Sequence, residues 1–343
     1  MRSIFKTSVA LLAFALAMPS LAQAKDKDKV LGVAAIDLQN SFYVRMKEAG
    51  DVAAKDYGVR STWQSAEGSL EKEVAIIENF INQGVSAILV DPLDKNALVP
   101  VIKKALAAGI PVVTMGNKVE ADGNYSTLYP DYENMAMVAR AIGASLGGEG
   151  EIALLVGSRG NFVSDTREKG FVETLAKEYP KIKIVGVEPT NWDAAKATNA
   201  AQTWLTTYPD LKAIACISDS LCLAADSVAS SMGSNLIYGG YDGDAEMKEL
   251  IDSGKMVLDV LTGANRVGYW NIAVATRLAN GEKLPKDLYM PTYFVTSDET
   301  AKKLKAAGLN FEHINTDKQA IEAKNYTEQL GPKVPVSAMT VGK

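Results

Sequence analysis

The sequence predicts an α/β chain built as two doubly wound parallel-sheet lobes, and three observations carry that expectation. Short β-rich apolar runs alternate with helical runs throughout, which is the rhythm of a parallel sheet with helices on both faces. The rhythm is broken at Gly147-Gly148-Glu149-Gly150 and then begins again. Ser86-Ala87-Ile88-Leu89-Val90-Asp91 and Lys212-Ala213-Ile214-Ala215-Cys216-Ile217-Ser218-Asp219 look like corresponding turns of two similar halves, a weak internal repeat.

Val30 to Ile36 reads as a buried strand followed by a loop, and a helical pattern runs from Phe42 to Tyr57. Leu70, Val74, Ile77 and Ile81 recur at helical spacing, and Gly84 supplies the stop. Ser86 to Val90 is the next strand, ended by Asp91-Pro92. A helix over 95–108 leads to a strand over 111–115. In the second half, strands are expected at 151–156, 182–187, 212–217, 235–240 and 256–261, with helices in the gaps. After Ala279-Asn280-Gly281 comes a further strand at 289–295, then polar helices and a Pro-containing tail. No Ser-rich or Pro-rich linker separates the halves, so several short crossings are expected rather than one flexible tether.

The first 24 residues read as a secretory signal peptide. Arg2 and Lys6 give a basic start, Val9 to Met18 is apolar, and Ala22-Gln23-Ala24 is a small-x-small cleavage pattern. The apolar run is too short to span a bilayer. No Cys stands at the cleavage point, so no lipid anchor is expected. The mature chain should start near Lys25 and work outside the cytoplasm as a soluble protein. The whole chain carries a net charge of −5. Arg2 and Lys6 leave with the signal and no acid does, so the mature value is −5 − 2 = −7. An acidic chain without basic runs is a poor nucleic-acid or anionic-membrane binder.

Cys216 reads as strand and Cys222 as the next helix. An oxidising compartment allows a disulfide, but the bond tolerates only a narrow separation, so two small buried hydrophobes are the plainer expectation. His313 is the one histidine, which removes most Ser-His-Asp, Cys-His and His-rich metal schemes and leaves it a structural role.

Ligands of open α/β sheets lie beyond the carboxyl ends of the strands. Asp37, Asn40, Phe42 and Tyr43 sit there after the first strand, Asp91 after the third and Asn117 after the fourth. The second half offers Arg159, Asn161, Asp165 and Arg167, then Trp192, Ser218, Asp219, Asp242 and Thr262. Carboxylates accept from hydroxyls, amides donate and accept, and Arg donates a fork. Aromatic faces cover the C–H faces of a sugar. The set suits a small polyhydroxylated solute. Each member also has a plainer reading: Asp91 and Asp242 as turn residues, Asp219 as a helix cap, Trp192 and Phe42 as core. Gly157-Ser158-Arg159-Gly160 is no phosphate fingerprint.

From Gln39-Asn40-Ser41-Phe42-Tyr43-Val44 onward, the chain resembles the type I solute-binding proteins of bacterial ABC importers, the ribose-binding cluster in particular. The resemblance covers residues 30–295. It is carried also by Ile88-Leu89-Val90-Asp91-Pro92, Ile110-Pro111-Val112-Val113-Thr114, Arg167-Glu168-Lys169-Gly170-Phe171, Tyr238-Gly239-Gly240-Tyr241-Asp242-Gly243 and Asn280-Gly281-Glu282-Lys283. It implies two Rossmann-like lobes joined by three crossings, with the solute trapped between them. The expected division is 25–129 plus 263–291 for the N-terminal lobe and 130–262 plus 292–343 for the C-terminal lobe. Ligand contacts are implied at Asn40, Phe42, Tyr43 and Asp91 in the first lobe, at Trp192 and Asp242 in the second, and at Thr262 in the hinge. The chain departs from the ribose pattern at Gly116 and Asn117, where the pattern has Asp-Arg. It departs again at Asp165, where the pattern has a ligand-binding Arg, and at Ser218-Asp219. These changes point to a different sugar, a sugar alcohol or a furanose.

The expected function is that of a periplasmic capture protein for a neutral sugar or sugar alcohol. Lobes that close on the solute would deliver it to an ABC permease. Phe42, Tyr43 and Trp192 would grip its faces, and Asn40, Asp91, Asn117, Asp165 and Asp242 would read its hydroxyls, with Arg167, Asp219 and Thr262 completing the set. A monomer without cofactor, metal or catalytic residues is expected. A small cationic amine as ligand, or presentation of the ligand to a chemoreceptor or sensor kinase, stands as the alternative. A dinucleotide enzyme would need a Gly-rich fingerprint that Leu31 to Ala35 lacks, and a sugar-responsive repressor would place a helix-turn-helix where the export signal stands.

Overall fold

The computed structural model describes residues 28–333; the expected export signal and its cleavage point lie outside them. The first sheet contains β1 (Val30–Ala35), β2 (Arg60–Ser65), β3 (Ala87–Val90), β4 (Val112–Thr114), β5 (Tyr125–Leu128) and β11 (Asp287–Tyr289). The second contains β6 (Glu149–Val156), β7 (Lys181–Pro189), β8 (Leu211–Cys216), β9 (Ile237–Gly239), β10 (Met256–Leu261) and β12 (Tyr293–Val295). Their strand orders are β11-β5-β4-β3-β1-β2 and β12-β10-β9-β8-β6-β7, the same winding twice. All pairs in the first sheet are parallel. The second is parallel except at its edge, where β12 runs antiparallel to β10.

Helices cover both faces of each sheet. In the first lobe, α1 (Ser41–Asp56) and α9 (Ala264–Ala279) bury Met46, Tyr269 and Trp270 on one face, while α2 (Leu70–Gln83) and α3 (Val99–Ala107) bury Ile77, Phe80 and Ile102 on the other. In the second lobe, α4 (Asp131–Ser145) and α5 (Phe162–Glu178) bury Val138 and Phe171. Across that sheet, α6 (Ala194–Thr207) and α7 (Asp219–Ser231) bury Trp204 and Leu221. Two faces of apolar side chains per sheet explain why the central strands read as unbroken apolar runs. β2, with the polar sequence RSTWQS at an edge, does not read that way.

The chain passes between the lobes at Tyr129-Pro130, at Thr262-Gly263 and at Met290 to Thr292. The strand expected over 289–295 is therefore two strands, one on each sheet, divided at Pro291. Proline carries no amide donor for a ladder, and the division is what makes the third crossing. Beyond it lie α10 (Asp298–Ala306), α11 (Thr316–Glu322) and α12 (Tyr326–Leu330), with the short α8 (Lys248–Asp252) earlier in the second lobe. Cys216 and Cys222 are joined as a disulfide with Cα atoms 5.6 Å apart, correcting the expectation of two free buried thiols. The last residue of β8 and the first turn of α7 are close enough because only one tight turn separates them. No described helix is long and apolar enough to cross a membrane.

Candidate ligand-binding site

The carboxyl ends of the two sheets face each other across a closed seam. Arg45 on α1 pairs with Asp244 at 2.5 Å and with Glu246 at 2.9 Å in the other lobe. Lys95 reaches Asp165 at 2.6 Å, and the Asn161 amide donates to the Pro92 carbonyl at 2.8 Å. Behind these contacts is a cavity of about 80 Å³. One water needs roughly 10–15 Å³ of such space, so the cavity matches a handful of waters or one small polyol.

Asn40, Phe42, Tyr43, Asp91, Asn117, Arg167, Trp192, Asp242 and Thr262 all line it, so nine of the expected residues come together. Local structure explains the placement. Asn40 caps α1, its Oδ1 accepting from the Phe42 amide at 2.9 Å, which aims the first turn of α1 at the seam. Phe42 and Tyr43 meet edge to face with ring centroids 5.6 Å apart. From the other lobe comes Trp192, whose buried indole Nε1 has no partner in the protein. Its backbone lies at φ 66° and that of Asn191 at φ 55°. Two successive non-glycine residues in the left-handed region mark strain held in place by the surrounding structure. Asp242 is a third such residue, at φ 124°.

The charged groups balance one another. Burial pushes the Asp91 carboxyl up to about 7, against hydrogen bonds from Tyr43 and Asn117 and the attraction of Arg167. Burial likewise raises Asp242 to about 7, opposed first by Arg167, and Ser218 Oγ donates to it at 2.7 Å. Burial also works against the Arg167 charge, but Asp131, Tyr241 and Asp242 outweigh it and hold the guanidinium protonated. Its Nε donates to Asp131 at 2.8 Å, its Nη1 donates to the Ile217 carbonyl at 2.7 Å, and its plane lies 3.5 Å over the Tyr241 ring. Arg167 is thus clamped by the protein before any ligand arrives.

Two expected residues stand elsewhere. Asp165 is not in the cavity wall: its carboxylate closes the seam with Lys95 and accepts from the Gly160 amide at 3.3 Å. Asp219 is fully buried behind the wall, accepting from the amides of Tyr241 at 3.1 Å and Asp244 at 2.8 Å. It holds the turn that presents Asp242 rather than presenting itself. His313 is also remote, 3.1 Å from Asp298. Conversely, Asn161 and Ser218 line the cavity, as do Ser220, Tyr129 and the apolar Ile36, Met46, Met115 and Val163. Asn161 and Ser218 carried a signal as strand-end residues. Tyr129 carried none, since the short β5 before it does not stand out in the sequence.

Two lobes of like winding, three crossings and a solute-sized cavity at the strand ends define a hinged binding protein. The chain belongs to the periplasmic binding protein domain family, whose model matches residues 31–283. It is 27% identical to the xylitol-binding protein of Mycolicibacterium smegmatis, over 86% of this chain and 83% of that one. It is also 27% identical to the ribose import binding protein of Bacillus subtilis, over 77% of this chain and 86% of that one. Among solved structures, an ABC transporter solute binding protein from Mycobacterium smegmatis with bound glycerol matches with a TM-score of 0.75 at 26% identity, covering 83% of this chain and 99% of that one.

Proposed function

We propose that this chain captures a small neutral polyol or sugar in the periplasm and hands it to the permease of an ABC importer. The observation that carries the reading is the cavity wall. Aromatic rings from both lobes and a carboxyl from each, Asp91 and Asp242, face one space that Arg167 keeps near neutrality. Raised carboxyls suit hydroxyl donors, and the fixed guanidinium disfavours a cationic amine. Relatives named for xylitol and ribose support the same solute class. Closure follows because only contacts made in the closed form shift the balance between forms. The lobes as moving units would be 25–129 plus 263–291 and 130–262 plus 292–343, save that α12 packs on α9 of the first lobe. Cleavage after Ala24 would release the mature chain. The cavity would act by binding alone, as the names of the xylitol-binding and ribose import binding relatives suggest. The protein would work as a monomer, with presentation of the closed form to a chemoreceptor as a second use of the same surface.

Calorimetric titration with glycerol, xylitol, other pentitols, D-ribose and D-allose tests this. One of them should bind near 1 μM, about −8 kcal/mol; silence across all neutral polyols and sugars refutes the reading. Trp192→Ala should weaken that ligand at least about tenfold, roughly 1.4 kcal/mol, and an unchanged affinity would make Trp192 a packing residue.

A further inference from the structure

The three described helices after β12 do not all stand on one lobe. α11 is fixed to the second lobe. Thr316 Oγ1 donates to Asp252 at 2.8 Å, the buried Gln319 amide donates to the Gly243 carbonyl at 2.9 Å, and Glu322 is hydrogen-bonded to Tyr293. α12 is fixed to the first lobe, packing on α9. There the Tyr326 ring lies 5.3 Å from that of Tyr269, whose hydroxyl donates to Asp56 at 2.8 Å. Only residues 323–325 join the two anchorages. They are wound in a turn, with the Ala323 amide on Gln319 at 2.9 Å and the Asn325 amide on Ile321 at 3.1 Å.

We infer that α11 and α12 form a strap across the seam that limits opening and fastens the Asp242–Gly243 turn to the first lobe. Three residues wound this way advance about 4.5 Å, and drawn straight they reach about 10 Å. The strap therefore gives roughly 5–6 Å of slack, after which one anchorage must release. It does not press on solid core: a cavity of about 150 Å³ lies between α11, the Asp244-Ala245 segment and the start of α9. The lobes can thus move beneath the strap within its slack. Because Gln319 holds the carbonyl next to Asp242, tension in the strap is delivered to a ligand-facing turn.

The test adds slack without touching either anchorage. Gly-Ser-Gly-Ser is inserted between Lys324 and Asn325 in the full chain. Spin labels on cysteines replacing the exposed Glu71 and Lys177 then report the interlobe distance by pulsed electron resonance, without ligand. The insertion should lengthen that distance. Tyr326→Ala, which removes an aromatic pair, should raise the open-to-closed ratio about two- to tenfold. A distribution unchanged by the insertion overturns the strap, and so does a shift seen with Tyr326→Ala alone, which reports lost packing instead of slack. No sugar enters the experiment, so its outcome does not depend on which class of ligand the cavity takes.

Discussion

Glu73 offers a quantitative test of how the first lobe supports the loop that lines its cavity. It stands on α2, fully buried, with Oε2 accepting from the Leu93 amide at 3.1 Å and Oε1 without a partner. Leu93 lies two residues beyond Asp91, so Glu73 props the loop from behind. Burial pushes its carboxyl up to about 8 from the usual 4.5. The Leu93 amide opposes this, and the negative charges of Asp91 and Asp94 add to it. The folded chain therefore keeps a proton that the unfolded chain releases. Stability from this group is complete below about 4.5 and is lost as pH rises toward about 8. Two pH units inside that window, from 5 to 7, correspond to about 2.7 kcal/mol. Glu73→Gln retains an acceptor for Leu93 but cannot ionise. In urea unfolding at pH 5, 6 and 7, its advantage over the natural chain should grow by about that amount. The other raised carboxyls titrate in both proteins and drop out of the difference. Parallel pH profiles for the two would refute the assignment of a buried, proton-holding Glu73.

Two further outcomes follow from the seam and the second lobe. A Cβ at Gly157 would lie 2.5 and 2.7 Å from Cε2 and Cη2 of Trp192, so Gly157→Ala must push the indole back by nearly 1 Å. Overpacking of that kind costs about 1–3 kcal/mol; calorimetry should show weaker ligand binding, and equal affinity would mean the indole does not read the ligand. Arg45→Ala removes the contacts to Asp244 and Glu246. Asp244 is buried, so losing Arg45 costs more than the roughly 1 kcal/mol of an exposed pair; stopped-flow release of ligand should speed up by more than about fivefold, and an unchanged or slower release would contradict a closing role.

The central strands and most of the site were legible because they obey local rules. Ile88 to Val90 and Val112 to Val113 are apolar on both sides since helices cover both faces, and Asp91 and Asn117 follow these strands by chain order alone. What sequence could not supply was direction. Asp219 and Asp242 are both acids just past strand ends, yet one points back to hold two amides while the other faces the cavity. Asp165 sits two residues from Arg167 on α5, about half a turn away, and a lysine from the opposite lobe captures it. Such choices depend on groups distant in the chain. The same holds for β2 and β5, whose polar residues suit an edge or a short crossing strand and carry no apolar signature.

Ser218 and Ser220 both face the cavity, and the cystine from Cys216 to Cys222 encloses them in one small covalent ring. The cystine therefore closes part of the cavity wall covalently. Material folded in a reducing cytosol would have the right sequence and a serine loop without that covalent closure. Its affinity, and not only its melting temperature, would then record where it had been made.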